Sequence, residues 1–61
     1  MIAKHIDEYE DRILKAGNLE ALDDMLNDLQ RRVDQGVDMK WAPIVIGMIR
    51  MERRIRFGVP L

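Results

Sequence analysis

Four arginines fall within seven residues, Arg50, Arg53, Arg54 and Arg56, set among Ile, Met and Phe in the stretch IGMIRMERRIRF, residues 46–57. A guanidinium presents a planar fork of donors that grips phosphates and carboxylates. Such a cluster can bind nucleic acid, pair with acids on a protein target, or neutralise the carbonyl end of a helix. Carboxylates are the second group with chemical potential, and they recur as Asp7/Asp11, Asp23/Asp24 and Glu20/Asp24/Asp28. Acid–base catalysis needs two such groups in contrasting environments beside a pocket. All are expected on exposed helix faces, where they share one solvated environment. The single histidine, His5, has no second imidazole or thiolate to complete a metal site and is expected to be a half-exposed structural residue. The chain contains no Cys, Ser or Thr, which removes the thiol and hydroxyl nucleophiles. It has neither a glycine-rich phosphate loop nor a calcium loop. The expectation is a protein that is not an enzyme and uses no cofactor or metal.

Positioning these side chains falls to helices. Ile2, Ile6, Tyr9, Ile13 and Ala16 recur at steps of four and three, which predicts a first helix over about 2–16. Gly17 is the expected left-handed terminator, and Asn18 the expected N-cap of the next helix. Leu19, Leu22, Leu26, Leu29 and Val33, widened by Met25, predict a second helix over about 19–35, stopped by Gly36. The short connection implies that these two helices form an antiparallel hairpin. The third helix is predicted over about 42–57, with Pro43 in its first turn, Asp38 as an alternative cap, and Gly58 and Pro60 at its end. Gly47 costs about 1 kcal/mol relative to Ala inside a helix, so it marks either a close helix–helix approach or a loose spot. The predicted architecture is all-α: a single domain, 1–61, built as a small three-helix bundle.

Helix 3 carries two apolar surfaces. Trp41, Ile44, Met48, Met51 and Ile55, with Val45 at the edge, share one side and are expected to close the core. Ala42, Ile46, Ile49 and Phe57 fall largely on the other, with Arg50 and Arg53 among them and Arg54 on the flank. A peripheral helix needs only one apolar stripe, so the second surface reads as an interaction face. The bland alternative for the arginines is that they complement the helix dipole, as the late bases Lys15, Arg31 and Arg32 do on the other helices. Glu8–Arg12, Asp11–Lys15, Asp28–Arg32 and Glu52–Arg56 are spaced as helical i,i+4 ion pairs.

Size and charge rank the functions. A chain of 61 residues with no cysteine has a marginal core and no disulfide, so self-association or a partner is the usual staple and a homo-oligomer is expected. The net charge of −1 conceals opposite halves: residues 1–38 hold five Lys/Arg against ten Asp/Glu, and residues 39–61 hold five against one. The start, MIAKHIDEYEDR, lacks the apolar run of a signal peptide. The longest apolar run, WAPIVIGMI at 41–49, is about half the roughly 20 residues of a membrane span. A cytoplasmic location without a membrane span is therefore expected. The function predicted first is a protein-interaction module (adaptor, inhibitor or regulator) that docks on a larger protein through Ile46, Ile49, Arg50, Arg53, Arg54 and Phe57 of helix 3. Glu20, Asp24 and Asp28 form a second, acidic surface able to imitate a phosphate backbone. The alternatives are nucleic-acid binding through the same arginines with Arg31, Arg32 and Lys40, for which the slightly acidic balance is unfavourable, or a purely structural homo-oligomer.

Overall fold

Capping residues and helical spacing set the chain's course. The computed structural model describes residues 2–59, with side chains from residue 4 onward, and these form three helices and no strand: α1, Ile2–Lys15; α2, Leu19–Asp34; and α3, Ala42–Phe57. Each boundary lies within a residue of the expected one. The side chain of Ile2, which opens the predicted α1 stripe, and Pro60, predicted to help end α3, lie outside the described residues. Asn18 is extended and its Oδ1 accepts the Ala21 N–H at 2.8 Å, so it caps α2 as predicted. At the other end Gly36 turns left-handed, with φ +83°. Its N–H reaches the Val33 carbonyl and that of Val37 reaches Arg32, both at 3.0 Å, which satisfies two carbonyls of the last turn. Gly58, at φ +68°, closes α3 in a similar way. Pro43 occupies the first turn of α3, and Trp41 rather than Asp38 stands at the N-cap position, without a side-chain cap.

Gly17 departs from expectation: among the described residues, only Gly36 and Gly58 take positive φ. Two carbonyls at the end of α1, those of Ile13 and Ala16, are instead bonded from α3, as described below.

The first two helices run antiparallel as expected, but they are not the closely packed pair a hairpin implies. His5 and Tyr9 of α1 lie against Trp41 at the start of α3, and Ile13 and Ala16 meet Arg56 at its end, so α1 and α3 run in the same direction. Asp23, early in α2, meets Arg53, late in α3, so α2 runs the opposite way. The close backbone approaches are between α3 and α2 and between α3 and α1, whereas α1 and α2 approach each other little. The last helix is thus the central one. Small Ala42 and branched Val45 and Ile49, all fully buried, let it settle into the seam between the other two. The bundle measures 30 × 22 × 16 Å.

The core collects Tyr9, Ile13 and Ala16 from the α1 side, Leu22, Met25 and Leu29 from α2, and Ala42, Val45 and Ile49 from α3; no polar side chain among the described residues is fully buried. Burying a side chain of the Leu, Ile or Val kind contributes about 1.5–3 kcal/mol, so these few residues account for most of the apolar stabilisation. The α2 stripe is narrower than its spacing implies, since Val33 lies at the surface.

Candidate protein-docking surface on the third helix

The arginines divide into two pairs. Arg53 approaches Asp23 of α2 with Nε 2.8 Å from Oδ1, both side chains half-buried. The N–H does not aim at the oxygen, so the contact is an ion pair rather than an aligned hydrogen bond. Arg56 reaches from the last turn of α3 to the open end of α1. Its Nη1 donates to the Ile13 carbonyl at 3.1 Å and its Nη2 to the Ala16 carbonyl. A helix ends with carbonyls that have no intrahelical partner and with a partial negative charge. A guanidinium answers both at once, and this contact takes the place of a left-handed glycine at residue 17. Arg56 also lies 3.9 Å from Glu52 and over the ring of Phe57. Arg50 and Arg54 remain exposed, and their side chains make no hydrogen bond or ion pair with the described residues.

These two contacts set the roll of α3 about its axis, and the roll differs from the predicted one, although Trp41 and Met48 pack against the core and Val45 is fully buried, as their predicted side implies. Ile49, expected at the partner face, is 0 % exposed, and Ile46 is half-buried against the core. Ile44, Met51 and Ile55, expected in the core, are 52 %, 49 % and 69 % exposed. Burying that stripe instead would carry Arg53 away from Asp23 and Arg56 away from α1. Of the residues predicted to bind a partner, Ile49 and Ile46 belong to the core, Arg53 to an internal ion pair, and Phe57 to a surface position beneath Arg56. Arg50 and Arg54 keep their access to solvent. On α2, Glu20 and Asp24 are exposed as expected, while Asp28 is half-buried and pairs with Arg32 at 3.3 Å. The Asp11–Lys15 pair forms at 2.9 Å, but Arg12 stands over the Tyr9 ring in place of the expected pairing with Glu8. His5 is exposed on one side and stacks on Trp41, with ring centroids 4.9 Å apart and nearly parallel planes.

Turning α3 this way leaves an apolar groove open between α1 and α3. It has a volume of about 640 Å³ and is lined by Ile13, Leu14, Ile44, Gly47, Met48 and Met51, with Glu10 and Glu52 as its charged lining. Leu14, on the α1 side, is 64 % exposed. Nothing stands within 4 Å of where a Cβ would project from Gly47, so this glycine marks open space at the groove and not a close helix contact. Its volume is within the range that receives several side chains of a partner or a small ligand. Two methionines give it an adaptable surface. Sequence reasoning missed Leu14 because it lies beside the α1 stripe, and missed Ile44, Met51 and Ile55 because it placed them inside. Comparisons of the chain with protein-family models, with curated proteins and with solved structures find no match in any of the three.

Proposed function

We propose that this protein is a non-enzymatic interaction module, an adaptor, inhibitor or regulator, that binds a helix of another protein chain in the α1–α3 groove. The observation that carries the reading is the uncovered stripe of Leu14, Ile44, Met51 and Ile55, each about half or more exposed on a chain with very little apolar surface to spare. Contiguous exposed apolar surface marks an interaction site. A groove between two parallel helices suits an amphipathic helix, whose side chains at i, i+3, i+4 and i+7 fill it in register. The docking residues in this reading are Leu14, Ile44, Met48, Met51 and Ile55, with Glu10 and Glu52 selecting a partner that carries cations beside its apolar face. Nucleic-acid binding draws less support, because Arg53 and Arg56 are engaged within the fold and Arg32 with Asp28.

Affinity capture from nuclease-treated lysate of the source cells, with Ile44→Glu and Met51→Glu as controls, tests the reading. The expected result is a protein retained by the wild-type chain and lost by both variants, with far-UV circular dichroism unchanged. Retention that ignores both substitutions, or that depends on intact nucleic acid, overturns it.

A further inference from the structure

Resting on that docking reading, we infer that the groove's occupant is a second copy of this chain, whose α3 lies in it reciprocally about a two-fold axis running along the exposed stripe. Three observations converge on this partner. The first is spacing. Ile44, Met48, Met51 and Ile55 follow steps of four, three and four, the seam of a two-stranded coiled coil, and three of them are about half or more exposed. The chain therefore carries both a groove that takes an amphipathic helix and, on the groove's own wall, an amphipathic helix to fill it.

The second observation is charge. At 3.6 residues per turn, Glu52 and Arg54 lie on opposite flanks of the stripe. Glu52 faces the α1 side, where Glu10 joins it in the groove lining, and Arg54 is exposed on the far side. A two-fold axis along the stripe brings the acidic flank of each copy to the basic flank of the other. An axis across the stripe would set acid against acid and is disfavoured. One surface is thus complementary to itself, as an isologous dimer requires.

The third observation is room and need. Gly47 holds the approach to the groove open. The chain has no cysteine for a disulfide, and a core of this size gains from a second layer.

Sedimentation equilibrium over a range of concentrations, on the full chain, tests the inference. The expected mass rises from 7.2 kDa toward twice that value. Ile55→Glu should hold it at the monomer. Glu10→Arg and Arg54→Glu should each raise the dissociation constant about tenfold or more, and the double variant should recover most of that loss. A dimer indifferent to Ile55→Glu and to both charge reversals assembles elsewhere and overturns the inference. So does a chain that remains monomeric at the highest concentration reached. In that case, titration of the monomer with a synthetic Leu/Lys amphipathic peptide separates the two readings. Shifts of the Leu14, Met48 and Met51 methyl resonances would leave the docking groove standing without the second copy. Methyl resonances that do not move would overturn the groove as well.

Discussion

Replacing Arg56 by Lys keeps a positive charge at the C-terminal end of α1 and removes the fork that bonds it. Replacing it by Ala removes both. In the native fold the guanidinium serves two carbonyls, Ile13 and Ala16, 43 and 40 residues away in the chain. Hydrogen bonds to a charged group contribute about 1.5–3 kcal/mol each. The site is only partly buried, so water can replace some of what is lost and the low end applies. Arg56→Ala should then cost about 3 kcal/mol. Arg56→Lys should retain about 0.3–1 kcal/mol of charge–dipole attraction and one of the two bonds, for a net cost of about 0.5–1 kcal/mol. In a domain of this size each kcal/mol lowers Tm by about 4–8 °C. The assay is urea denaturation followed by circular dichroism, on protein dilute enough to be monomeric so that association does not enter the comparison. Arg54→Ala on the same helix is the control, expected within about 0.5 kcal/mol of wild type because its side chain is exposed. If Arg56→Ala falls as close to wild type as that control does, the clasp stabilises nothing and the account of how α1 ends is wrong.

The other substitutions probe the roll of α3 and the groove. Ile49→Ala should destabilise by about 2–5 kcal/mol, whereas Ile55→Ala should stay within about 0.5 kcal/mol when the protein is dilute; denaturation midpoints that rank them the other way would restore the rejected face. Gly47→Ala meets no neighbouring atom and should stabilise α3 by about 0.5–1 kcal/mol; sedimentation and thermal melts together will show whether the added methyl also weakens association, as its place at the groove requires. Asn18→Ala should cost about 1 kcal/mol through loss of the α2 cap, read from the same urea midpoints.

Much of the architecture was legible in the chain because its signals are local. Asn18, Gly36, Pro43 and Gly58 act within one turn of themselves, and the apolar steps of α1 and α2 each point to one face. Helix α3 offered two stripes of similar quality, and the buried face runs between them: Trp41 and Met48 of the expected stripe pack against the core, while Ile44, Met51 and Ile55, whose size also suggested the core, lie at the surface. The deciding contacts are nonlocal. Whether Arg53 faces Asp23, or Arg56 the end of α1, depends on where three helices lie relative to one another, which periodicity does not report. One signal was available: Ala42, Val45, Ile49, Arg53 and Arg56 form a continuous stripe that begins small and apolar and ends in two cations. The chain holds an acid on α2 and a helix end on α1 for those cations to meet. The exposed apolar surface, and with it the proposed docking site, moved from Ile46 and Ile49 to Ile44, Met51 and Ile55, and Leu14 joined it from the neighbouring helix.

The central position of α3 bears on the order of events in folding. The helix that lies between the other two is the last of the three to be synthesised. Until it emerges, α1 and α2 can offer each other few close contacts, and the carbonyl end of α1 has no partner until residue 56 has left the ribosome. Helices this short are marginal in water on their own. The nascent chain therefore has little native structure to accumulate stepwise. It closes late, in one cooperative event, when the third helix brings the core residues and the clasp together.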